Sequence, residues 1–111
     1  MAKLPNADLA IIEPEKILDY LLSDSHPVGR HKAAFFKTFG FRRSNPDFLH
    51  RALIEHGKSH DIVRTTTTNF GEKFELSGPL VSPDGRLSIV RSVWIIYKGE
   101  EIPRFVTAIP D

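Results

Sequence analysis

Apolar positions follow a helical period in the first half of the chain and alternate in the second. Ile17, Leu18, Leu21 and Leu22 recur at i, i+1, i+4 and i+5, one face of a helix, and Pro14 suits its first turn, where a missing N–H is harmless. This pattern predicts a first helix from about Pro14 to Leu22, after a short apolar segment, Ala7 to Ile12, that is either a strand or an extended lead-in. Ser23-Asp24-Ser25 ends the helix, and the ring of Pro27 biases His26 away from helical backbone. Past Gly29, Ala33, Ala34, Phe35 and Phe36 alternate with polar neighbours as a short second helix that stops at Gly40. Ser44-Asn45-Pro46-Asp47 is a start signal for a third, with Phe48, Leu49, Ala52, Leu53 and His56 as its stripe and Gly57 placed to end it. His50, Arg51, His56 and His60 read as surface or cap residues.

From Asp61 the period changes to two. Asp61 to Thr68 is rich in β-branched residues, Asn69-Phe70-Gly71 turns, and Lys73 to Ser77 alternates, which predicts a hairpin. Ser82-Pro83-Asp84-Gly85 is a turn, Arg86 to Tyr97 the longest strand, and Pro103 to Pro110 the last one, bracketed by prolines. Helices first and strands second predict a single α+β domain over residues 1–111, its helical part about 1–57 and its sheet about 61–110. About three N-terminal helices pack on one face of a four-stranded antiparallel meander. Alternate residues of the long strand line the other face, either the Arg91 set or the Ser92 and Trp94 set; a period of two does not choose between them.

At 111 residues, 41% hydrophobic and 26% charged, the chain is sized for one modest core. It has no cysteine, so disulfides, thiolate nucleophiles and thiolate metal sites are out. Without a signal-peptide pattern or a stretch of membrane-spanning length, the expectation is a soluble, cytoplasmic protein with no membrane partner. The net charge of +1 hides an uneven distribution. Residues 1–25 carry Asp8, Glu13, Glu15, Asp19 and Asp24 against Lys3 and Lys16, whereas residues 26–44 carry Arg30, Lys32, Lys37, Arg42, Arg43 and two histidines with no acid. Such a patch suits an anionic partner, either a phosphate-bearing ligand or an acidic protein surface.

No zinc spacing, Walker loop, dinucleotide loop or nucleophile elbow is present, so neither metal nor cofactor is expected. The segment from His26 to Phe36 is the densest in chemistry: two imidazoles, Arg30 and Lys32 around Gly29. Its plainer reading is a Pro-Gly loop entering a basic helix. Cleaving RNA without a metal needs a base for the 2′-hydroxyl, an acid for the leaving oxygen, and cations or hydroxyls for the phosphorane charge. His26, His31, Lys32, Arg91 and Thr107 are the catalytic candidates for those roles. Arg30, Lys37, Ser92 and Trp94 are binding candidates, although Trp94, inside an apolar run, reads first as core. His26, Lys32, Arg91 and Thr107 are expected around one cleft between the loop before the second helix and the sheet.

In order and spacing, Tyr20-Leu21-Leu22, HPVGRHKAAFF, Gly40-Phe41, FGEKFELSGPLVSPDGR, VRSVWII and PRFVTAIP resemble a bacterial domain of unknown function. That domain occurs free-standing and as the C-terminal module of contact-dependent and other polymorphic toxins, and the likeness runs from about Leu4 to Pro110. The toxin domains resemble the barnase/EndoU/colicin/RelE nuclease superfamily. The resemblance implies helices before a four-stranded sheet and a metal-independent RNase, often acting on tRNA rather than DNA, with a cognate immunity or antitoxin protein as partner. It carries over to His26, His31 or Lys32, Arg91, Ser92 and Thr107. A non-catalytic accessory module whose basic patch meets an acidic partner is the alternative.

Overall fold

In the computed structural model, which describes residues 2–111, the strands lie in chain order: β1 (Ile62–Thr67), β2 (Gly71–Val81), β3 (Leu87–Tyr97) and β4 (Arg104–Pro110). Every neighbouring pair is antiparallel, so the sheet is the expected meander. Three helices precede it. The first is a single α-turn, α1 (Pro14–Lys16), that widens into a π-turn over Ile17–Leu21, closed by the Leu22 N–H on the Ile17 carbonyl at 2.8 Å. Then come α2 (Gly29–Thr38) and α3 (Pro46–Ser59). The Ala7–Ile12 segment is a lead-in: a 3-10 turn at Ala7–Leu9, then a parallel bridge from Ile11 to Arg104 at the outer edge of β4.

The long strand resolves which face is which. Val90, Ser92 and Trp94 are buried under the helices with Phe74, Leu76 and Leu80 of β2, while Arg91 lies on the opposite face with Glu75 and Ser77. Trp94 is the centre of the core, wholly buried and edge-on to Phe105 at 5.3 Å between ring centroids. Leu21, Leu22, Phe36, Phe41, Leu49 and Leu53 close the helical side.

Two expectations for α3 need correction. Gly57 does not end the helix, which continues to Ser59; it is the point where the helix meets Trp94, and a Cβ there would stand 2.8 Å from Trp94 Cζ2. His56 is neither surface nor cap: it is 2% exposed, one turn beyond Leu53 on the stripe that faces the sheet. Its Nδ1 lies 2.8 Å from Ser92 Oγ, and its Nε2 lies 2.9 Å from the Val90 carbonyl and 3.1 Å from that of Gly78.

The sheet departs from regular pairing at both of its outer strands. Pairing with β1 ends at Ile62 opposite Leu76, so β2 runs on through Ser77–Val81 without a strand on that side. There the His60 ring lies against Gly78, and its Nε2 donates to the Pro79 carbonyl at 2.9 Å. On the other side, a bulge between β3 and β4 puts Val93 opposite Thr107 and Trp94 opposite Phe105, leaving Val106 without a partner.

Candidate functional site

The loop between the π-turn and α2 is built by its own side chains. Ser23, nearly buried, accepts the backbone N–H groups of Ser25 at 3.3 Å and His26 at 3.1 Å, folding the chain back. His26 Nδ1 then accepts the N–H groups of Val28 at 3.0 Å and Gly29 at 2.9 Å. These are free donors at the start of α2, so the imidazole caps the helix as an Asn or Ser would, and the nitrogen that it presents outward is Nε2–H. Gly29 makes the join possible: a Cβ on it would lie 2.0 Å from the Tyr20 carbonyl oxygen. Only a glycine lets α2 start directly against the π-turn.

Tyr20 is the point on which these elements converge. Its hydroxyl is 3.1 Å from Thr107 Oγ1, beside the bulge of β4. The Lys32 ammonium, one turn into α2, lies 5.2 Å from the ring centroid, and that of Lys16 lies 5.5 Å away while donating to the Val106 carbonyl at 3.1 Å. The His26 ring meets the Tyr20 ring edge-on at 5.1 Å. Burial by itself raises the phenol, but the Thr107 hydroxyl and the two ammonium groups, Lys32 foremost, outweigh it and hold Tyr20 below its ordinary value. A phenol so placed can give up and take back a proton, with cations close by for a developing negative charge.

The hollow over Tyr20 encloses about 660 Å³ between α1, the His26 loop and β4. Its lining carries both charges: Glu15 and Asp19 beside Lys16, and Glu13, which is held by Arg104 at 3.0 Å; Lys32 stands over the Tyr20 ring nearby. Among the described residues, no group of three or more His, Cys, Asp or Glu could hold a metal ion.

Of the residues singled out from sequence, His26, Lys32 and Thr107 come together here. Arg30 and His31 are exposed on the first turn of α2, and Lys37 is paired with Asp24. Ser92 and Trp94 belong to the core beside His56, the indole donating to Ser92 Oγ at 2.9 Å. Arg91 lies on the far face of the sheet, bound to Glu75 at 3.1 Å and Asp111 at 3.2 Å, with Asp111 also accepting from Ser77 at 2.6 Å. It has no part in the Tyr20 cluster, because β3 points alternate residues to opposite faces. Two side chains of the site, Tyr20 and Lys16, are absent from the sequence-based candidates. Their signal was available: Tyr20 is an aromatic hydroxyl off the apolar stripe of the first helix, and Lys16 is one turn before it.

A family model described as "Domain of unknown function (DUF6883)" matches residues 3–111. Among solved structures, a chain of the "Contact-dependent growth inhibition toxin - immunity protein complex from Klebsiella pneumoniae 342" is similar, with a TM-score of 0.66 and 25% identity. The likeness covers 91% of this chain and 99% of that one. Comparison with curated proteins gives no match.

Proposed function

The chain belongs to the DUF6883 family, a domain of unknown function, and we propose that it is a toxin-type, metal-independent ribonuclease that cuts tRNA or a related RNA in the cytoplasm. The observation that carries this reading is the lysine-flanked Tyr20 phenol, hydrogen-bonded to Thr107 at 3.1 Å in an open hollow. Tyr20, as phenolate, takes the proton of a ribose 2′-hydroxyl. The 2′-oxygen then bonds to phosphorus and the bond from phosphorus to the 5′-oxygen breaks. The Lys32 ammonium protonates the leaving 5′-oxygen, and transfer of the proton from Tyr20 to Lys32 restores both groups. Lys16 and Lys32 offset the charge of the phosphorane, Thr107 orients the phenol, and His26 offers Nε2–H to a phosphate oxygen. The products are a 2′,3′-cyclic phosphate and a 5′-hydroxyl end.

The basic turn of α2, with Arg30 and His31 exposed beside Lys32, suits the flanking RNA backbone. A cognate immunity protein that presents carboxylates to this same turn is the protein partner we propose. The likeness to a chain from a toxin–immunity complex supports that partnership. The test is incubation of the purified protein with total tRNA in EDTA. Fragments ending in cyclic phosphate, absent with Tyr20→Phe, are the expected result. Intact tRNA under conditions where the folded protein binds it would instead favour the non-catalytic module.

A further inference from the structure

We propose that a second hollow, beside the one over Tyr20, is a nucleoside subsite selective for a base carrying an exocyclic amino group; this rests on the ribonuclease reading. The hollow encloses about 430 Å³ and is lined by polar residues alone: Asp19, Ser23, Asp24, Ser25, His26 and Arg43. It shares Asp19 and His26 with the hollow over Tyr20, so the two are neighbours across the His26 ring. A nucleotide bound over Tyr20 would have this hollow beside it.

The bonding of the lining decides what the hollow can take. Asp24 is committed to Lys37, and Arg43 donates to the Leu18 carbonyl. Ser23 holds the loop by accepting the Ser25 and His26 N–H groups. Among the described residues, Asp19 alone of these carboxylates has no hydrogen bond or ion pair and is a free acceptor. Asp19 is therefore the one carboxylate of the hollow without a cation on it, and it accepts from N–H donors, since an ionised carboxylate has no donor of its own to return. Cytosine, adenine and guanine bring an exocyclic amino group to such an acceptor, whereas uracil's one base-edge donor, N3–H, stands between two carbonyl oxygens that face the carboxylate unfavourably. RNA bases are recognised on those edges when splayed out of a single-stranded loop.

The experiment pairs cleavage with binding. A set of single-stranded oligoribonucleotides, identical except for A, C, G or U next to the cleaved bond, is cut by the wild-type protein and by Asp19→Asn. Expected is a disfavour of U by about tenfold or more in the wild type, as for one well-placed base contact, that collapses to about threefold or less in the variant. Cleavage without such a disfavour, or a disfavour that survives Asp19→Asn, overturns the subsite and leaves the ribonuclease standing. If no oligonucleotide is cut, the ribonuclease reading fails, and the subsite is judged by NMR titration with cytidine and uridine. Cytidine shifting the Asp19 and Ser25 amides more than uridine supports the subsite; equal or no shifts overturn it.

Discussion

His56 Nδ1 and Ser92 Oγ lie 2.8 Å apart in the core, and the groups around them fix the direction of that bond. The Trp94 indole donates to Ser92 Oγ, and His56 Nε2 faces the carbonyls of Val90 and Gly78. The hydroxyl must therefore donate to Nδ1, and Nε2 must carry the proton. A neutral imidazole satisfies every polar atom of this cluster, whereas a second proton, on Nδ1, would take from the Ser92 hydroxyl hydrogen the acceptor it has there.

Stability should accordingly depend on pH. Burial, helped by the neighbouring His60, pushes His56 down from 6.5 to about 4 despite the two carbonyls. Between those values the unfolded chain binds a proton that the folded one refuses. The stabilisation is complete above pH 6.5 and is lost as pH falls toward 4, a change of about 3 kcal/mol. Urea unfolding at stepped pH should show this slope in the wild type and a flatter one in His56→Gln. His56→Ala, which leaves Ser92 and two carbonyls unpartnered beside a cavity, should cost about 3 kcal/mol at neutral pH.

Gly57→Ala should lower the urea midpoint, although alanine is the better helix former. The added methyl would stand 2.8 Å from Cζ2 of a wholly buried Trp94. Overpacking of that kind costs about 1–3 kcal/mol, more than the helix preference of about 1 kcal/mol returns. A shift of the Trp94 fluorescence in the folded variant would show that the ring has moved.

The lowered phenol of Tyr20 predicts a cleavage rate that rises with pH below the ordinary tyrosine range. Lys32→Met removes its principal cation together with the proposed acid for the leaving oxygen, so the rate should drop and the rise of what remains should move to higher pH. Absorbance titration of the phenolate, with Tyr20→Phe to identify the signal against Tyr97, reads the same shift without any RNA. A Tyr20 titration unchanged by Lys32→Met would count against the arrangement.

Gly29→Ala tests the join between the π-turn and α2. A Cβ 2.0 Å from the Tyr20 carbonyl forces the helix away and carries Lys32 with it. Cleavage should fall about tenfold or more, as misplacement by about an ångström does, and Tyr20 should titrate higher. Circular dichroism should show the fold retained.

Arg91→Gln should leave cleavage at the wild-type rate. Its guanidinium is tied to Glu75 and Asp111 on the far face of the sheet. A large loss of activity in a folded variant would move the site to that face.

The order of elements was legible because each helix and strand carries its own period and its own stop signals. Even the two faces of β3 were separable in the sequence, but which one the helices cover depends on packing that a period of two does not encode. His56 escapes the sequence for a related reason: at its place in the stripe an imidazole fits core or surface, and only Ser92, from a strand 36 residues on, decides it. The Tyr20 cluster needs a π-turn, a β-bulge and a helix–turn contact at once, and none of these has a composition signal. His26 stands out by its chemistry, yet its Nδ1 is spent on capping α2, which a count of titratable residues does not reveal.

The stretch of β2 that runs past β1 would be an open invitation to polymerise, since an uncovered strand edge templates another chain. Here α3 closes it with a side chain instead of a strand. His60 occupies the Pro79 carbonyl and lies over Gly78, and Pro79 itself has no N–H to offer an incoming strand. That overhang of β2 is thereby closed to an incoming strand by one imidazole and one imino acid.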